Sequence, residues 1–156
     1  MNNLTRKKRI LFCGEASFLS TGYSIYLREL FTRLYKTNKY KLAELSAYGE
    51  IDDSRRLSIP WTYYAVMPKK GDEIEQRKYR SDMENQWGAW RLEDTLLDFK
   101  PDVVIDIRDP WVSNFIFNSP FRQYFSIANM PTIDSKPQPP QFASQFCNAD
   151  ALLTYS

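Results

Sequence analysis

Histidine is absent from this sequence. That removes Ser-His-Asp and Cys-His nucleophilic mechanisms, histidine-based zinc sites and the commonest general base. Cysteine is scarce: Cys13 and Cys147 stand far apart, too few to build a structural zinc site alone. With no secretion signal, both are expected to be reduced core thiols of a cytoplasmic protein. No apolar run approaches the ~20 residues of a membrane-spanning helix. The first such run, Ile10-Leu11-Phe12, stops at Cys13-Gly14 and is no signal peptide. Glycine-rich phosphate loops are missing too. No Gly-Lys-Ser/Thr follows Thr21-Gly22, and there is no Gly-x-Gly-x-x-Gly fingerprint. No Asp-x-Asp pair stands in a loop to hold a divalent ion, and the adjacent Asp52-Asp53 reads as solvated. Neither metal nor cofactor is therefore expected. A strong excess of one charge is also lacking, the net charge being +2. With no basic stripe interleaved with aromatics, nucleic acid is not an expected partner. Any chemistry must come from carboxylates, hydroxyls, backbone dipoles or another domain.

What is present reads as globular. Hydrophobic residues make up 43% and aromatics 15% of the 156 residues, more than disordered chains carry. One domain, residues 1–156, is expected. The cluster Arg6-Lys7-Lys8-Arg9 either touches phosphate or a membrane surface, or is a solvated lead-in to the first strand. Lys8 to Gly14 reads as a strand buried on both faces. Residues from about Gly22 to Tyr35 carry Ile25, Leu27, Leu30, Phe31 and Leu34 at helical spacing. Further strands are expected at Lys41 to Tyr48, Trp61 to Met67, Asp102 to Ile107, Phe125 to Ile133 and Ala151 to Tyr155. A second amphipathic helix is expected over Asp82 to Phe99, ahead of Pro101. Trp87, Trp90 and Phe99 read there as core. Charged Lys69 to Ser81 reads as a mobile loop or an exposed helical piece. Short helices are expected near Val112 to Asn118 and Gln141 to Cys147. Alternating strands and helices predict an α/β fold: a Rossmann-like parallel sheet with helices on both faces.

Ligands of such sheets bind outside the carboxyl ends of the strands, where three segments should gather. Gly14 to Tyr23 follows the first strand. Thr21 and Gly22 at a helix start let a backbone N–H approach a phosphate or sugar oxygen, or Ser20 or Thr21 simply caps the helix. Arg108-Asp109-Pro110-Trp111 follows the fourth strand. An exposed Arg108 and Asp109 are candidates for gripping a polyol or serving as base, with Trp111 offering a face to a sugar ring. The bland reading is a surface pair beside a packed Trp111. Asp106, inside the strand, is either a buried functional carboxylate or faces a polar edge. Asn129 to Asp134 follows the fifth strand. The polar residues of this segment line the same cleft, or it is a proline-shaped turn with Asp134 capping.

Three pieces in this order resemble the N-terminal, acceptor-side domain of family-4-type glycosyltransferases of the GT-B fold. They are Arg9-Ile-Leu-Phe-Cys-Gly14 with Thr21-Gly-Tyr-Ser-Ile-Tyr-Leu-Arg-Glu-Leu30; Lys100-Pro-Asp-Val-Val-Ile105 with Asp109-Pro-Trp111; and Asn148-Ala-Asp-Ala-Leu-Leu-Thr-Tyr-Ser156. The resemblance implies one half of a GT-B enzyme that moves a sugar from a nucleotide-sugar donor to an acceptor. This half would bind the acceptor, through Thr21, Gly22, Tyr23, Arg108, Trp111, Asn129 and Asp134. Gly22 would match the glycine whose backbone approaches the donor phosphates, and Asp109 the acceptor-side base, near where many members have histidine. The donor-binding domain would lie outside these residues, so the chain alone is expected to be inactive. The alternative expectation is a stand-alone α/β binding or assembly domain, for instance a homodimer covering the face a second domain would take.

Overall fold

A computed structural model describes residues 6–133 and 136–154. The expected Tyr155, Ser156 and Asp134 assignments lie outside the described residues. The fold is α/β, as expected: a single six-stranded sheet, all parallel, in the order β3-β2-β1-β4-β5-β6. The strands are β1 (Lys8–Glu15), β2 (Tyr40–Ala47), β3 (Thr62–Ala65), β4 (Val103–Asp106), β5 (Ser126–Asn129) and β6 (Ala151–Leu152). The helices are α1 (Gly22–Lys36), α2 (Glu73–Ser81), α3 (Met83–Gln86), α4 (Ala89–Phe99), α5 (Asn114–Phe117) and α6 (Pro140–Asn148).

The alternation of side chains along β1 explains the two layers. Ile10 and Phe12 pack with Leu27 and Phe31 of α1 on one face. Leu11 and Cys13 pack with Leu92, Leu96 and Phe99 of α4, and with Phe115 and Ile116 of α5, on the other. Phe12 and Phe31 meet with ring centroids 4.1 Å apart. Each such buried ring or branched side chain contributes about 1.5–3 kcal/mol of transfer free energy. Helix α1 starts where the sequence reading places it. Thr21 Oγ1 accepts the Ser24 N–H at 3.2 Å, and Arg33 and Lys36 offset the carbonyl pole in the last turn.

Several expectations need correction. Residues 82–99 do not form one helix. The chain breaks at Gly88, whose φ is +113° and whose missing Cβ would sit 3.1 Å from Leu45 and 3.3 Å from Val66. Gly88 thereby lets α4 lie directly on the ends of β2 and β3. Gly88→Ala is expected to lower stability by about 1–3 kcal/mol, read as a shift in the urea midpoint; an unchanged midpoint would show that the break is not imposed by this contact. The charged 69–81 stretch, by contrast, takes the helical of its two expected forms: it holds the exposed helix α2, capped by Asp72, whose Oδ1 accepts the Ile74 and Glu75 amides, each at 3.0 Å. It buries no residue, so apolar periodicity gave no signal. Cys147 is exposed rather than core. Cys13 is buried, and burial pushes its thiol up to about 12, leaving it protonated and inert. Among the described residues no helix is long and apolar enough to cross a membrane.

Candidate functional site

The strand order reverses direction at β1. The chain winds outward through β2 and β3, then returns to place β4 on the other side of β1. At such a switch point the loops leaving the two central strands diverge and open a crevice at their carboxyl ends. The loops here are 16–21 after β1 and 107–113 after β4. Gly14 allows the close approach beneath them: a Cβ there would lie 2.8 Å from Leu27 Cδ1 and 3.4 Å from the Ile107 carbonyl oxygen.

One wall of the crevice is polar. The Tyr23 hydroxyl, in the first turn of α1, donates to Asp109 Oδ1 at 2.9 Å and lies 2.6 Å from Thr132 Oγ1. It thus joins the loops after β1, β4 and β5. Gly22 and Asp109 therefore stand on the same edge of the sheet. A Cβ at Gly22 would meet nothing within 4 Å, so the helix start is open on its outer side. The Gly22 N–H has no partner among the described residues. Thr21 does cap the helix, as the plainer reading held. Its hydroxyl also bonds Glu15, whose Oε2 accepts from Ser24 Oγ at 3.2 Å. Glu15 closes β1, so a second carboxylate joins Asp109 at this edge.

An aromatic cluster also stands on the loops at this end of the sheet. Tyr48 and Trp87 pack edge to face with centroids 5.3 Å apart, and Trp87 and Trp111 do the same at 5.9 Å. Tyr48 and Trp111 are exposed. Tyr48 directly follows β2 at φ +60°, the left-handed region, which costs a non-glycine residue of order 1 kcal/mol. That conformation swings its ring onto Trp87. Burial and then the Glu15 charge push the Tyr48 phenol above its ordinary value.

Two expected site residues are not at the surface of the crevice. Arg108 was expected to be exposed; it is 2% exposed. Asp106 is fully buried beside it, and a buried carboxylate needs a counter-charge. Arg108 Nε and Nη2 both lie 2.7 Å from Asp106 Oδ1, and Nη1 donates to the Trp87 carbonyl at 2.6 Å. Asn129 is likewise buried and spends its amide on Asp106 Oδ2 at 3.0 Å, so it does not line the cleft. The three residues tie β4 to β5 and to the turn that carries Trp87. They are a foundation under the aromatic cluster.

Sequence reasoning singled out neither Glu15 nor Tyr48, placed Thr132 in a cleft-lining segment without naming a role for it, and read Trp87 as core, against which it does pack while also meeting Tyr48 and Trp111. A carboxylate ending an otherwise apolar strand was the available signal for Glu15. Tyr48 and Trp87 gave none, because their meeting depends on the left-handed turn after β2 and the break at Gly88. Among the described residues no group of three or more Cys, Asp or Glu is gathered as for a metal ion. Comparison with models of known protein families gives no match, and a search of curated proteins finds none either.

Proposed function

We propose that this domain is the acceptor-binding half of a glycosyltransferase that takes its sugar from a nucleotide-sugar donor. The observation that carries the reading is the convergence of Tyr23, Asp109 and Thr132 at the carboxyl ends of the central strands, where the next loops carry the aromatic cluster Tyr48, Trp87 and Trp111. A sugar offers hydroxyls to the first group and an apolar C–H face to the second. In this reading Trp111 stacks on the acceptor ring. Asp109, oriented by the Tyr23 hydroxyl, accepts the proton of the attacking acceptor hydroxyl. The Gly22 N–H, at the positive pole of α1, faces the donor phosphates brought by a second lobe. Thr21 and Glu15 hold that helix start in place. Arg108 and Asn129 act from below by fixing Asp106 and the Trp87 backbone.

Titration of the labelled chain with a panel of mono- and oligosaccharides, followed by NMR, tests this. The amides of Tyr23, Asp109 and Trp111 are expected to shift with an acceptor sugar, and Trp111→Ala to weaken that binding about tenfold, the loss of ~1.4 kcal/mol of ring contact. Nucleotide sugars should bind weakly or not at all. Asp109→Asn should leave acceptor binding nearly unchanged and abolish transfer once a donor-binding lobe is supplied. Robust transfer by this chain alone would contradict the half-site reading. Self-association through the same edge, with no sugar bound, would favour a stand-alone assembly domain instead.

A further inference from the structure

The amino-terminal edge of the sheet, opposite the crevice, carries a groove of about 490 Å³ that the proposed function does not use. Arg6, Lys7, Arg9 and Lys41 line it together with Tyr35, Tyr40 and Trp61, and no carboxylate is in the lining. The sheet topology makes this cluster. β1 and β2 pair in parallel with Lys8 opposite Tyr40 and Arg9 opposite Lys41, so the basic run that enters β1 stands beside the basic start of β2.

Of the four cations only Arg6 is paired with an acid among the described residues. Lys41 is exposed and its side chain makes no ion pair or hydrogen bond among the described residues. Arg9 Nε is buried without a hydrogen-bond partner, while its guanidinium carbon sits 5.3 Å from the Phe99 ring centroid. Lys7 reaches only the neutral Asn38 Oδ1, at 2.5 Å. Arg6 alone meets an acid, Asp102, which also accepts the Arg9 backbone N–H at 2.7 Å. The carbonyl pole of α1 ends at this edge, but Arg33 and Lys36 offset it, and neither lines the groove. A cationic concavity neutralised at Arg6 but not at Lys7, Arg9 or Lys41 attracts anions, and arginine and lysine together suit phosphate oxygens. The aromatic side chains add apolar surface for whatever the phosphate is attached to.

We infer that this groove is a binding site for a phosphate-bearing ligand, separate from the switch-point crevice and independent of its assigned chemistry. The phosphate arrives either on a small soluble molecule or as the headgroup of an anionic lipid; the recognising chemistry is the same.

An NMR titration of the labelled chain with pyrophosphate, at low and at physiological salt, tests the soluble source. Sedimentation with phosphatidylcholine vesicles, with and without phosphatidylglycerol, tests the lipid source. Expected are shifts of the Arg9, Tyr40, Lys41 and Thr62 amides with pyrophosphate, or sedimentation with the anionic vesicles only, and weaker binding at higher salt. The double substitution Lys7→Glu/Lys41→Glu, at two exposed side chains, should weaken whichever binding is seen by about tenfold or more. Lys69→Glu, outside the groove, should leave it within about twofold. Binding to neither probe overturns the inference. So does binding that the double substitution leaves intact, or shifts confined to Thr21, Tyr23 and Asp109.

Discussion

Arg108→Met is expected to destabilise the protein by about 3–5 kcal/mol, the cost of leaving one partner of a buried ion pair uncompensated. Asp106 is fully buried and Arg108 nearly so, and the guanidinium is the counter-charge the Asp106 carboxylate meets. Removing it leaves Asn129 as the single side-chain donor to Asp106 among the described residues. The loss should appear as a large fall in the urea midpoint and in the near-ultraviolet circular dichroism of the aromatic cluster, because Arg108 also holds the Trp87 carbonyl. The paired substitution Asp106→Leu/Arg108→Met removes both charges. It should recover most of the loss, since apolar replacements of a buried pair are often close to neutral. If Arg108→Met stayed within about 1 kcal/mol of the parent, or the pair were as damaging as the single change, the foundation role would be wrong.

The second large effect concerns Glu44, in the middle of β2 and only 2% exposed. Trp61 Nε1 donates to its Oε2 at 3.2 Å. Ser17 and Ser46 flank it, yet their Oγ atoms and Glu44 Oε1 make no aligned hydrogen bond. Burial dominates and pushes the carboxyl up from 4.5 to about 7, with Ser17, Trp61 and Ser46 opposing it. The sign of the linkage follows. The folded protein holds a proton that the unfolded chain releases near 4.5. The stabilising contribution is therefore full below about 4.5 and is lost as pH rises to about 7, a change of about 3 kcal/mol. With no histidine in the chain, few other side chains titrate in that window. The carboxylates Asp53, Asp102 and Asp150 are held below their ordinary value and act at lower pH. Glu84 is raised by burial and adds a lesser slope of the same sign. Glu44→Gln should flatten the profile and be more stable than the parent at pH 8 by up to about 3 kcal/mol. Urea unfolding at pH 5 and pH 8 decides it. A parent equally stable at both, or a variant with the parent's slope, would show that Glu44 is ionised at little cost.

Much of this fold was legible in the residues, and the reason is periodicity. The apolar runs 10–13 and 103–105 are too short for buried helices, and their positions match β1 and β4. The 27, 31 and 92, 96, 99 spacings mark the buried faces of α1 and α4. Residues marking only a surface were harder. α2 is held by its cap rather than by burial, and the break at Gly88 is set by Leu45 and Val66 on neighbouring strands. In the candidate site the loops were legible as loops, which is why Thr21, Gly22, Tyr23, Asp109 and Trp111 could be nominated. Arg108 and Asn129 were nominated on the same reasoning and are buried. A polar residue just after a strand end reads the same whether it turns out to solvent or down onto a buried Asp106.

The order and type of residues by themselves determined the parallel α/β architecture, the two apolar layers, and the absence of histidine that confines any proton transfer to other groups. Those are local and additive properties, carried by short stretches of chain. Only the tertiary structure decided that Tyr23, Asp109 and Thr132 meet, that Tyr48, Trp87 and Trp111 form one cluster, and that Arg108 neutralises Asp106. These contacts join segments tens of residues apart. Their geometry is set by where β4 crosses to the far side of β1 and by backbone turns at Tyr48 and Gly88, neither of which leaves a periodic trace in the sequence.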